Sequence, residues 1–136
     1  MPTGLWAANL SKVIMSQNNL TGTLPDQVPF NITILDLHKN QFYGEIPEDI
    51  GSLPSLQSLI LSENCLSGWI PDTVSGLKAL TTLNLSYNQI SGEIPVSIGK
   101  ISTLQSLSFA GNQISGWIPD SLLGLQSLIT LDLSQN

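Results

Sequence analysis

Leu80-Thr81-Thr82-Leu83-Asn84-Leu85-Ser86-Tyr87-Asn88 carries the frame L-x-x-L-x-L-x-x-N, and the chain writes that frame six times. Moving outward, it recurs as Leu56, Leu59, Leu61, Asn64 and as Leu104, Leu107, Phe109, Asn112, with a last copy at Leu128, Leu131, Leu133, Asn136. Towards the start it reads Ile32, Leu35, Leu37, Asn40 and Leu10, Val13, Met15, Asn18. From Asn40 onward the asparagines fall 24 residues apart, and Asn18 precedes Asn40 by 22. A fixed period of this length marks a stacked array whose units cannot bury their apolar faces alone. Within L-x-L the side chains alternate faces, so the leucines turn inward and the residue between them turns out. Parallel strands about 4.8 Å apart then share one continuous core.

The chain must bend after each strand. An asparagine there offers its side-chain amide to backbone groups left unpaired by the turn, so Asn18, Asn40, Asn64, Asn88, Asn112 and Asn136 are expected to form a ladder. Beyond each bend the chain runs x-L-x-G-x-I-P, as in Asn64-Cys65-Leu66-Ser67-Gly68-Trp69-Ile70-Pro71. The prolines at 25, 47, 71, 95 and 119 suit the start of a short helical turn on the convex side. Leu24, Ile46, Ile70, Ile94 and Ile118 are expected to supply a second inward layer, and Gly51, Gly76, Gly99 and Gly124 the return to the next strand. The second copy is two residues shorter and lacks a counterpart of Gly76-Leu77. Phe30 is expected to fill the space that leucine leaves.

Charge and composition narrow the function. The 136 residues hold 4 Lys+Arg against 10 Asp+Glu, a net charge of −6, and none of the four is arginine. That balance disfavours a phosphate-neutralising nucleic-acid surface or an anionic-membrane anchor. The single Cys65 excludes an internal disulfide framework and a cysteine-rich zinc site, and is expected to be an exposed thiol. No apolar run approaches the roughly 20 residues that cross a bilayer, and the opening Met1 to Leu10 lacks signal-peptide character. No cofactor is expected.

The motif N-x-L-x-G-x-I-P, as in Asn88-Gln89-Ile90-Ser91-Gly92-Glu93-Ile94-Pro95, resembles the plant-specific class of leucine-rich repeats. The opening Gly4-Leu5-Trp6 to Asn9-Leu10-Ser11-Lys12-Val13 and the later Leu83 to Pro95 resemble ectodomain repeats of the HAESA-like receptor kinases of plants. The resemblance implies an α/β-type repeat solenoid: a right-handed superhelix with a parallel concave sheet, short 3₁₀ convex turns and an extra flank strand. It also implies a peptide or protein ligand and a co-receptor, on the extracellular side of the plasma membrane or in the apoplast. Residues 1–136 are expected to form one array, uncapped at both ends, and to be a fragment: an internal piece of an ectodomain or a truncated gene product. Any Ser/Thr kinase domain belongs to a parent protein, and the chain itself is expected to be non-catalytic. The alternative is a free-standing secreted leucine-rich-repeat protein, such as an inhibitor of a cell-wall hydrolase.

Outward strand positions line up as columns across about 24 Å of sheet. From them Ile60 and Tyr87 are candidate anchors for a partner, with Asp36, His38, Lys39, Glu63 and Asn84 adding polarity. The competing reading is that these are solvated positions touching nothing. Lys39 and Glu63, column neighbours, are expected to form a rim ion pair. Asp36, His38 and Ser62 hold nucleophilic residue types, but a flat sheet supplies no oxyanion hole and excludes no water. His38 has no second histidine or cysteine to share a metal, and is expected to be exposed. Trp69 and Trp117 occupy the x of G-x-I-P two coils apart, either as a ridge for a partner or, the favoured reading, flat over their own flank. Asn9, Asn19, Asn31 and Asn84 begin N-x-S/T sequons, and a glycan on Asn84 would obstruct the concave face. Aspartate is expected to be ruinous at Leu83 and nearly silent at Ser86.

Overall fold

Alternation in the L-x-L trios produces three-residue inner strands whose middle residue is buried in five of six copies. They are Lys12–Ile14, Ile34–Asp36, Ser58–Ile60, Thr82–Asn84, Ser106–Ser108 and Thr130–Asp132. The computed structural model describes residues 3–136. In it the six strands form one parallel sheet in chain order, with Leu35, Leu59, Leu83, Leu107 and Leu131 in register across neighbouring coils. Leucine stacks on leucine because every coil repeats the frame without slip, and a one-residue shift would turn the aliphatic set to water. A short helix, Thr3–Trp6, which the periodicity does not predict, lays Trp6 against the first coil's core.

Past each bend lies a second set of strands on one flank: Thr21–Thr23, Gln41–Glu45 and Cys65–Ser67 in one sheet, Ser91–Gly92 and Gln113–Ile114 in another. Hydrogen bonds from Gln89 N–H to the Leu66 carbonyl and from Ser91 N–H to the Gly68 carbonyl, both 2.8 Å, link the two sheets. The convex side carries the 3₁₀ turns Glu48–Ser52, Asp72–Gly76, Val96–Lys100 and Asp120–Gly124, each preceded by the expected proline with φ between −64° and −70°. Leu24, Ile46, Ile70 and Ile94 close the core behind them. Ile118, with a neighbouring coil on one side only, is exposed, as are Leu123, Ile129 and Leu131 of the same coil.

The short second coil departs from expectation. Phe30 is 70% exposed and fills no part of the core. The residue in the leucine's place is Pro29, which is buried and whose carbonyl accepts from Ile32 N–H at 3.0 Å. Leu53, Leu77, Ile101 and Leu125 accept from Leu56, Leu80, Leu104 and Leu128 in the same way in the later coils. Losing two residues removes the 3₁₀ turn, and the segment from Asp26 to Pro29 runs as an irregular arc.

Convex turns approach so closely that glycine is required between them. A Cβ at Gly76 would lie 2.2 Å from the Gly51 carbonyl oxygen, whereas one at Gly124 meets Gly99 at 3.2 Å. Backbone cannot step aside as a flexible side chain can. Gly76→Ala is therefore expected to cost about 2 kcal/mol in urea denaturation, and Gly124→Ala under about 1 kcal/mol. Equal midpoints would show that the turns do not touch.

Candidate binding surface

Three residues past the end of each inner strand the backbone turns left-handed. Gln17, Lys39, Glu63, Tyr87 and Gln135 have φ between 53° and 58°, and Gly111 takes the same place at 65°. The twist delivers the following asparagine to the bend. Asn64 Nδ2 then donates to the carbonyls of Leu61 in its own coil (3.1 Å) and Leu37 in the preceding one (3.0 Å), while its Oδ1 accepts from Phe42 N–H at 2.9 Å. Asn88, Asn112 and Asn136 repeat the pattern, and Asn40 does so with Leu20, Leu37 and Met15. Among the described residues the Asn18 side chain donates only within its own coil, to the Met15 and Ser16 carbonyls. Gly111 is the one residue of the column whose type signals left-handed backbone in the sequence; the five side-chain-bearing residues at its position conceal the need.

That column lifts Lys39, Glu63 and Tyr87 onto the rim of the inner face, all exposed. The tyrosine ring lies across the next coil: a Cβ at Gly111 would stand 2.5 Å from its Cδ1. Tyr87 thus keeps a defined position while remaining 50% exposed. Gly111→Ala is expected to displace the ring and cost about 1 kcal/mol for left-handed alanine. Loss of the NMR cross-peaks between the Tyr87 ring and the residue 111 Hα would register the displacement; unchanged cross-peaks would refute the packing. Lys39 and Glu63, adjacent as expected, form no ion pair. Among the described residues the close carboxyl–imidazole contact is Asp36–His38, 2.7 Å between Oδ1 and Nδ1. Two long, solvated side chains gain too little from pairing to give up their rotamer freedom.

Asp36 and His38 belong to a motif of the strand ends. Asp36 Oδ1 accepts from His38 N–H (3.2 Å) and lies against its ring. Asn84 Oδ1 accepts from Ser86 N–H (3.0 Å) and hydroxyl (2.6 Å), and Asp132 does the same with Ser134 at the same distances. The pair is therefore one of three variants of an Asx turn. His38 is half-buried rather than exposed, and buried Ser62 shares no hydrogen bond with it. Ser86 is buried too, against its reading as a solvated position. An aspartate there would press a carboxylate onto Asn84 Oδ1 and is expected to destabilise.

The hydroxyl and then the backbone N–H of Ser134 hold the Asp132 carboxyl below the ordinary aspartate range, with burial opposing weakly. The charged, hydrogen-bonded form is thus favoured in the folded chain. Its contribution is present above the ordinary aspartate value and is lost as pH falls through the depressed folded one. The Ser134 amide resonance should keep its shift through the ordinary aspartate range and move only in stronger acid.

Ile60 and Asn84 are half-buried neighbours in register, one coil apart. The asparagines at 9, 19 and 31 are exposed, and Asn31 Nδ2 donates to Asn9 Oδ1 at 2.8 Å, so two sequons sit side by side. On the flank Trp69 and Trp117 are 58% and 87% exposed. Two clefts open there. One, of about 590 Å³, is bordered by Trp6, Thr23, Leu24 and Tyr43; the other, of about 350 Å³, by Leu24, Glu45, Ile46 and Trp69. Thr23, Leu24 and Asp26 border both. Sequence reasoning missed Tyr43 and the clefts, because the depth of a flank depends on the neighbouring coil.

A leucine-rich-repeat family model matches residues 30–90 and a second matches residues 103–125. The ectodomain of the receptor kinase SOBIR1 from Arabidopsis thaliana aligns with a TM-score of 0.85 and 33% identity, over 91% of this chain and 68% of that one. The chain belongs to the leucine-rich-repeat family. This leucine-rich-repeat chain also aligns, with a TM-score of 0.95 and 40% identity, to the Arabidopsis receptor kinase HAESA solved with the peptide hormone IDA and the co-receptor SERK1. That alignment covers 98% of this chain and 23% of HAESA. Receptor-like protein 34 of Arabidopsis thaliana is 40% identical over 73 residues, 54% of this chain and 8% of that protein. The relatives include plant receptor-like kinases and receptor-like proteins, and the chain spans between 4% and 12% of the first three. No helix among the described residues is long and apolar enough to cross a membrane.

Proposed function

We propose that this leucine-rich-repeat chain is a recognition segment of a plant receptor ectodomain, facing the apoplast, that binds an extended peptide or a protein loop across its inner strands. The observation that carries the reading is the register itself. Six parallel strands hold Ile60, Asn84 and the rim residues Lys39, Glu63 and Tyr87 at fixed spacings, with Tyr87 seated on Gly111. Such a face is rigid before a ligand arrives, so binding costs little ordering on the protein side. Ile60 and the Tyr87 ring supply apolar contact, and Asp36, His38, Lys39, Glu63 and Asn84 set its polarity. HAESA, whose structure contains both a peptide hormone and a co-receptor, supports extending the reading to a co-receptor. Asn84 bears a glycan or faces the ligand, but not both, because it stands beside Ile60.

Twelve-residue random peptides displayed on phage and selected against the purified chain provide the probe. Peptides recovered this way are expected to lose at least about tenfold in affinity on Ile60→Asp or on Tyr87→Ala, and to keep it on Trp69→Ala. Ligands indifferent to both inner-face substitutions would overturn the assignment.

A further inference from the structure

The flank carries a chemistry that the inner face does not. Between the bends and the convex turns its five segments, residues 19–27, 41–47, 65–71, 89–95 and 113–119, hold Asp26, Glu45 and Glu93 and no lysine or histidine, and Glu48 borders the cleft beside them. Within them the residue between glycine and isoleucine or leucine reads Thr23, Glu45, Trp69, Glu93, Trp117, so carboxylate and indole alternate coil by coil. At parallel-strand spacing each lies about 4.8 Å from the next. The glycines of the following coils let these side chains run along the solenoid. Glu45 crosses Gly68 and Glu93 crosses Gly116, where a Cβ would come within 2.8 Å of each Cγ. Each carboxylate is thereby brought beside the coil that bears a tryptophan, and both tryptophans are exposed. Below Glu45 and Trp69 the cleft of about 350 Å³ is lined by Leu24, Ile46 and Pro47.

We propose that this flank is a second docking surface, for a lysine- or arginine-rich extended polypeptide segment. An indole face attracts a guanidinium or ammonium group, and a neighbouring carboxylate completes its neutralisation. The aliphatic stems of the same side chains cover the apolar floor of the cleft. Charge decides among partners: an acidic polysaccharide is repelled by these four carboxylates, and a neutral glycan gains from the indoles but nothing from the field. Exposed positions of one sign also steer a cationic partner to this side, an attraction that salt screens. The proposal stands apart from the inner-face reading, since the two surfaces share no residue.

Fluorescein-labelled nona-arginine, titrated into the 136-residue chain by anisotropy, tests it. Binding is expected at low ionic strength, weakening steeply with salt. Trp69→Ala and the pair Glu45→Gln/Glu93→Gln are each expected to weaken it at least about tenfold. Asp132→Asn, which removes one carboxylate from the inner face and leaves the motif that Asn84 already shows, is expected to change it less than about twofold. Because Trp69 is exposed, its truncation leaves the coil intact, and unchanged circular dichroism will verify that. An unaffected Trp69→Ala complex, an equal loss on Asp132→Asn, or stronger binding of a neutral β-glucan hexasaccharide than of nona-arginine would each overturn the proposal.

Discussion

Leu83→Asp is expected to abolish the cooperative unfolding transition of the chain. Leu83 is fully buried and stacks between Leu59 and Leu107, in register on either side. No cationic side chain is among the residues of the core cluster around it. The aspartate must therefore be buried uncharged, or charged and unpaired, and both exceed what a repeat array of this size can absorb. A loss above about 4 kcal/mol follows. Since each coil rests only on its neighbours, the damage divides the stack in two. Leu131→Asp repeats the chemistry in a strand covered on one side, where the leucine is already 44% exposed, and is expected to cost less than half as much. Circular dichroism during urea titration reads both variants. A cooperative Leu83→Asp protein would contradict the shared core.

Asn88→Ala is the second large effect, by a different route. Truncation leaves the buried Leu66 N–H without its acceptor, while the Leu61 and Leu85 carbonyls each lose one of two donors and keep the amides of Asn64 and Asn112. At roughly 1–3 kcal/mol for one orphaned buried group, with two further bonds lost, a loss of about 2 kcal/mol is expected. Asn18→Ala removes two bonds at an exposed bend and no link to a preceding coil, and should cost under about 1 kcal/mol. Hydrogen exchange of the Leu66 amide provides a local readout: protection lost in the first variant, retained in the second. Similar losses in both would mean that the ladder contributes nothing between coils.

Much of the architecture was legible because the chain states it six times. An inward leucine at one copy is weak information, whereas Leu35, Leu59, Leu83, Leu107 and Leu131 at constant spacing admit one pairing. The exception was the second coil, where a missing glycine-leucine pair suggested an aromatic substitute. Pro29 sits nearer in the chain to the vacated place, and its backbone carbonyl makes the same bond to Ile32 as its counterparts do. Binding residues were harder to read. Columns followed from alternation, yet whether Tyr87 stands free or lies on Gly111, and whether Ser62 and Ser86 face water, depends on contacts between coils.

The sequence by itself determined the coil length, the inward leucines, the asparagine bends and the acidic balance, since each follows from residue type and local period. Only the tertiary structure decided the left-handed column beneath Lys39, Glu63 and Tyr87, the Asx turns that hold Asp36 to His38, and the clefts beside Trp69. The clefts arise where one coil meets the next, and no local pattern reports the gap between two surfaces; each Asx turn spans only two residues, but Asp36, Asn84 and Asp132 read as outward strand positions whichever partner they bond.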